Sequence, residues 1–182
     1  MKLTSNFILE ILKILFWVFT IILCIAISVL TLIFFTVIFG INIGDLKEMK
    51  INVALFDGKI KDIQSLPKMK LIFILAYSII SGVLQLLFFL TIIKILKKLK
   101  LNRPFSMEIY ILISRIAQLA LLIGSLSFIV NLINELIIGN FFISLNLDSK
   151  DFQFFLVAGV VYIIAQVYKR AVEIQTENDL TI

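Results

Sequence analysis

Ile14-Leu-Phe-Trp-Val-Phe-Thr-Ile-Ile-Leu-Cys-Ile-Ala-Ile-Ser-Val-Leu-Thr-Leu-Ile-Phe-Phe-Thr-Val-Ile-Phe39 decides how this chain folds. No charge interrupts the sequence between Lys13 and Asp45, whereas a helix needs only about 20 mostly apolar residues to cross a hydrocarbon core of roughly 30 Å. The run is longer than a membrane requires, so its helix is expected to end near Phe39 and Gly40, where Gly40-Ile41-Asn42-Ile43-Gly44 supplies breakers. It also exceeds the roughly 7–15-residue apolar core of a signal peptide, and no small-x-small cleavage site follows it, so it reads as a retained anchor.

Three further charge-free runs follow, between Lys70 and Lys94, Arg115 and Glu135, and Asp151 and Lys169. The spans predicted are about 14–39, 71–94, 112–134 and 152–170, with a tail at 171–182, in a single domain covering 1–182. The fourth run, Phe152 to Tyr168, is the shortest. Composition agrees: 61% hydrophobic residues, 16% charged residues and a mean hydropathy of +1.11 lie far from soluble averages. The fold class expected is an all-α membrane protein, a four-transmembrane-helix bundle with a small extracytoplasmic β-hairpin in the first loop. That hairpin is placed at about 49–64, because Asp57-Gly58 sits between partly alternating stretches and suits a type I′ turn. A lid over the outer helix ends is its simpler role, ahead of receptor or partner binding.

Basic residues set the expected orientation. The segment Lys94 to Arg103, extended to Arg115, carries six basic residues and one acid, Glu108, which marks a cytoplasmic loop. On this topology the two tails and that loop hold ten basic and five acidic residues, against seven and seven in the other two loops. Both termini are therefore expected in the cytoplasm. Lys94, Lys97, Lys98 and Lys100 should meet anionic lipid headgroups; the lipid bilayer is the first partner, and direct nucleic-acid binding is not expected.

Within the loop, Asn102-Arg103-Pro104-Phe105-Ser106 reads as a helix stop and a helix start set back to back. Pro104 disfavours helix at Arg103, Ser106 can cap the next amides, Glu108 suits the positive first turn, and Phe105 can pack on Tyr110. Span three carries the clearest internal pattern, Ala117, Ala120, Gly124, Ser127, Asn131 and Asn134 at steps of three and four on one helical face. Looser versions are Thr20, Cys24, Ser28 and Thr31 in span one, Ser78, Ser81, Gly82 and Gln85 in span two, and Ala158, Gly159, Ala165 and Gln166 in span four. Small residues let helices approach in lipid, so these stripes read as packing seams. A transport path is the weaker reading, because no charged residue is forced into the bilayer middle.

Enzyme chemistry finds no support. There is no His, the single Cys24 lies inside span one away from any base, and the acids cluster in loops and tails. Gly-x-Ser-x-Gly, Walker and His-Glu-x-x-His patterns are absent. No catalytic residue, cofactor or metal site is expected.

The ending Tyr168-Lys-Arg-Ala-Val-Glu-Ile-Gln-Thr-Glu-Asn-Asp-Leu-Thr-Ile182, with Arg103-Pro104-Phe105-Ser106 and Arg115-Ile116-Ala117, resembles the bacterial membrane family known as domain of unknown function twenty-nine seventy-five. The most specific part is Glu177-Asn178-Asp179-Leu180-Thr181-Ile182. The resemblance implies a four-span inner-membrane protein without assigned activity, encoded beside a small helix-turn-helix regulator. It thus implies that Arg103, Pro104, Phe105 and Ser106, with Glu177, Asn178, Asp179, Leu180 and Thr181, engage a cytoplasmic protein. The first loop matches no family motif. Glu173, Glu177 and Asp179 could instead pair with Lys97, Lys98, Lys100 or Arg103 of the same chain. The function expected is a non-catalytic partner-binding or regulatory membrane module. A transporter or channel subunit, motivated by Gln85, Asn131, Asn134 and Gln166, and protection against a membrane-active peptide are the alternatives.

Overall fold

The computed structural model describes residues 2–40, 52–54, 60–62, 68–99, 106–138 and 150–179. Four long helices account for almost all of them: α1 (Lys2–Phe39), α2 (Lys68–Lys98), α3 (Met107–Ile138) and α4 (Lys150–Asp179). Each contains a stretch long and apolar enough to cross a membrane, namely Phe7–Phe39, Lys68–Lys98, Met107–Ile133 and Phe152–Asn178. The chain is a multi-pass, all-α membrane protein, the class in which each span satisfies its own backbone hydrogen bonds.

Local chemistry sets several helix ends. α1 stops at Phe39, and Gly40 adopts φ 63°, the left-handed conformation that closes a helix and that only glycine takes without steric cost. α3 starts behind Ser106, whose hydroxyl oxygen accepts from the Ile109 N–H at 3.4 Å and whose carbonyl accepts from Ile109 and Tyr110 at 3.1 and 3.2 Å. α4 continues through Asp179, helped by Glu173, which pairs with Lys169 and Arg170 one turn earlier at 3.9 and 3.1 Å.

The expected β-hairpin is corrected. Regular pairing is confined to two three-residue segments, β1 (Asn52–Ala54) and β2 (Ile60–Asp62), antiparallel with Asn52 opposite Asp62, Val53 opposite Lys61 and Ala54 opposite Ile60. That register is symmetric about Asp57, with residues 55–59 between the segments. A two-residue Asp57-Gly58 turn requires Phe56 opposite Lys59, one step out of this register, and a one-residue slip turns every side chain to the other face. Pairing this short falls well below the usual strand of about 5–6 residues and makes no independent folding unit. The fold class is therefore all-α, without a β-module; the Asp57-Gly58 dipeptide lies outside the described residues.

The helices divide between two compact units, Met1–Leu23 with Leu84–Ile182, and Cys24–Val83. In the first, α3 and α4 pack along most of their length. Lys169 of α4 lies over the Tyr110 ring of α3 at 6.0 Å, while Phe155 meets Phe128 edge-on at 6.5 Å. These two contacts, at opposite ends of the pair, fix an antiparallel register. The face of α3 that turns inward runs through Ile109, Leu112, Ile116, Ala117, Ala120, Ile123, Gly124 and Val130, all buried. On α4, Ala158 and Ala165 are buried, with Phe154, Val161 and Tyr168 half-buried at the same three-and-four spacing. Elsewhere in this unit Phe16 and Phe19 of α1 bracket Phe89 of α2, with ring centroids 5.8 and 6.1 Å apart. In the second unit, Gly82 of α2 lies against Ile27 of α1, so close that an added Cβ would stand 3.0 Å from Ile27 Cγ1.

Not every small residue marks a seam. On α1, Thr20 is buried but Cys24 and Ser28 are exposed. On α4, a Cβ added at Gly159 would meet nothing within 4 Å, and Gln166 is exposed. The hydroxyls explain how polar side chains face outward. Ser28 donates to Cys24 O at 2.8 Å and Thr31 to Ser28 O at 2.7 Å, so each is satisfied by its own helix and needs no neighbour.

Candidate functional site

The ion pairs and cation–π contacts given by the first unit's described residues lie at one end, where α2 stops and α3 starts, and where α4 leaves its apolar stretch. Capping by Ser106 orients the start of α3, and the Ser106 N–H donates to Tyr168 Oη of α4 at 3.3 Å. Lys98 of α2 meets Glu108 of α3 at 2.8 Å, with both side chains well exposed. Lys169 is shared between the Tyr110 ring and Glu173. At the α1 side of this end, Lys97 Nζ stands 5.3 Å above the Trp17 ring, a cation–π contact between an indole and an ammonium.

This arrangement holds helix ends together and presents charge. Among the described residues, no group of three His, Cys, Asp or Glu side chains could hold a metal ion. Cys24 is exposed on α1, and the nearest charged residue before it in the sequence is Lys13, three helical turns away.

The residues singled out in the sequence fall into three sets. Ala117, Ala120 and Gly124 are buried on α3, and Ser127 and Asn131 are half-buried there; Asn134 belongs to α3, with its side chain outside the described residues. Ser106 acts as the cap of α3. Glu177 and Asn178 are exposed at the end of α4, where Asp179 closes the helix with its side chain outside the described residues. Arg103, Pro104, Phe105, Leu180 and Thr181 lie outside the described residues, as does Lys100. Glu173 of α4 does not reach across to the lysines of α2: it pairs within its own helix, and Lys98 pairs with Glu108. Short sequence separation decides this for Glu173, since i,i+3 and i,i+4 partners meet at little entropic cost.

Trp17 belongs to no motif singled out in the sequence, Tyr110 enters there only as a packing partner of Phe105, and Tyr168 only as the first residue of the family-like ending. Their position at the ends of apolar runs is the signal that marks them, since such rings favour the membrane–water boundary. Replacing Ser106 by Ala should cost about 1 kcal/mol of stability through loss of the cap, measured by thermal unfolding in a mild detergent; Tyr168→Phe, which leaves the cap in place, should cost less.

Comparison of the chain with protein-family models, with curated proteins and with solved structures finds no match.

Proposed function

We propose that this protein is a non-catalytic membrane module that binds a cytoplasmic protein through the projecting end of α4, acting in regulation. The observation that carries this reading is the continuation of α4 as a helix beyond the basic pair Lys169 and Arg170, to Asp179, a projection of about 13 Å. On it Ile174 is 45% exposed, beside exposed Thr176, Glu177 and Asn178. An apolar side chain kept in view outside the apolar stretch, flanked by acids, suits a small partner with a basic rim and an apolar centre. Because the projection is already helical, binding costs less ordering entropy than a free tail demands. The likeness of the ending to the bacterial family of unknown function adds support, and with it the placement in a bacterial inner membrane with both termini cytoplasmic.

Co-purification of the full-length protein from its own cells tests the reading. A cytoplasmic partner, a small helix-turn-helix regulator being the first candidate, should be recovered with the native chain and fall at least tenfold with Ile174→Asp combined with Glu177→Lys. Equal recovery with both chains removes the α4 end as the docking element.

A further inference from the structure

The cations at the polar end of the first unit are not equivalent. Three are neutralised within the chain, Lys98 of α2 by Glu108 of α3, and Lys169 and Arg170 of α4 by Glu173; Arg115, two turns further along α3, forms no ion pair with a described residue. Three others, on α1 and α2, are not. Lys13 and Lys94 form no ion pair with any described residue, and the contact made by Lys97 is with the uncharged face of Trp17. Glu10, one helical turn from Lys13, is exposed and likewise takes no described cation.

Lys97 lies over the single tryptophan of the chain, and the other two flank that contact along their own helices. Lys13 precedes Trp17 by four residues on α1, and Lys94 precedes Lys97 by three on α2, so each lies one turn from a member of the cation–π pair on the same face. Trp17, Lys94 and Lys97 are exposed and Lys13 is half-buried. Alongside Trp17 and on into the apolar stretch, α1 presents Ile14, Val18 and Ile21, all more than 45% exposed. The site therefore offers unneutralised positive charge and an indole at the boundary, and an uncovered aliphatic surface below it. A phosphate attached to acyl chains satisfies both halves at once, whereas a soluble anion uses only the first.

We propose that Lys13, Trp17, Lys94 and Lys97 form a headgroup site for an anionic phospholipid, with the acyl chains lying along Ile14, Val18 and Ile21. The lipid phosphate takes up the charge that no carboxylate of the first unit's described residues neutralises. Lys98, Lys169 and Arg170, already paired with carboxylates, contribute no such preference.

Trp17 is the only tryptophan, so intrinsic fluorescence of the full-length protein in vesicles reports this site alone. Vesicles of phosphatidylcholine containing either brominated phosphatidylglycerol or brominated phosphatidylcholine supply contact quenchers that are anionic in the first case and of zero net charge in the second. The native protein should be quenched preferentially by the brominated anionic lipid. Lys94→Gln should lower that preference by about fivefold, the factor that corresponds to about 1 kcal/mol per lysine near an anionic surface. Lys98→Gln should leave it unchanged, and so should millimolar inorganic phosphate. An unchanged extent of quenching by brominated phosphatidylcholine shows that each variant keeps Trp17 at the same boundary. Equal quenching of the native protein by both lipids overturns the proposal. So does a Lys98→Gln effect as large as that of Lys94→Gln, or loss of the preference when inorganic phosphate competes.

Discussion

Substituting leucine for Gly82 is expected to destabilise the protein by about 1–3 kcal/mol, the usual cost of forcing extra carbons into an occupied contact. A bare Cβ at this position already stands 3.0 Å from Ile27 Cγ1 and 3.3 Å from Ile27 Cδ1, closer than ordinary carbon–carbon contact of about 3.5–4.0 Å. Leucine carries further carbons beyond that Cβ, and the two helices must separate or Ile27 must leave its rotamer. Ile27→Ala removes both atoms that Gly82→Leu would strike. The double variant should accordingly lose less stability than the two single variants added together, a coupling read in a double-mutant cycle of thermal or denaturant unfolding in detergent. Strict additivity would show that Gly82 and Ile27 do not share the contact that the structure gives them.

Ala165→Leu should be comparably damaging at the other helix pair, and Gly159→Leu should be nearly silent. Ala165 is 0% exposed in the α3–α4 contact, and without a hydrophobic drive between helices in lipid, close approach of small residues is what holds such a pair. Leucine there costs about 1–3 kcal/mol of overpacking and loosens the pair. Gly159 lies six residues earlier on the same helix, yet nothing stands within 4 Å of the position a Cβ would take. Its replacement meets open space and exchanges a poor helix former for a good one. Protease resistance and unfolding temperature of the two variants, measured side by side, separate a packing seam from a merely small residue. Equal losses at both positions would contradict the packing described for α4.

That contrast also shows what can be read in the sequence and what cannot. The four helices are legible because charge-free runs and backbone chemistry act locally: the stop at Phe39 needs only Gly40, and the start of α3 needs only Ser106. Which side of a helix meets a neighbour is legible on α3, where Ala117, Ala120 and Gly124 are small and also buried. It is only partly legible on α1 and α4, where Thr20, Ala158 and Ala165 are buried but Cys24, Ser28, Gly159 and Gln166 are exposed, because in lipid the outward face is as apolar as the inward one and hydropathy no longer alternates. Small size alone then misleads, as at exposed Ser28 and open Gly159. Asp57-Gly58 misleads in another way, since a local turn preference cannot fix a register that β1 and β2 set around Asp57. The polar end is legible as composition but not as pairing. Ser106 and Tyr168 are 62 residues apart, and Trp17 meets Lys97 across two helices, so neither contact follows from spacing.

The unequal lengths of the apolar stretches carry a consequence for the membrane itself. The uncharged part of α1 from Ile14 to Phe39 measures about 39 Å, and that of α4 from Phe152 to Tyr168 about 25 Å, at roughly 1.5 Å per residue. No flat bilayer of uniform thickness matches both. Either α1 leans away from the normal, or the surrounding acyl chains stretch beside it and shorten beside α4, at a fraction of a kcal/mol for each ångström of misfit. Chain length and saturation of the host lipids thus enter the energetics of this protein directly, and its place among membrane regions of differing thickness follows from the geometry of two of its own helices.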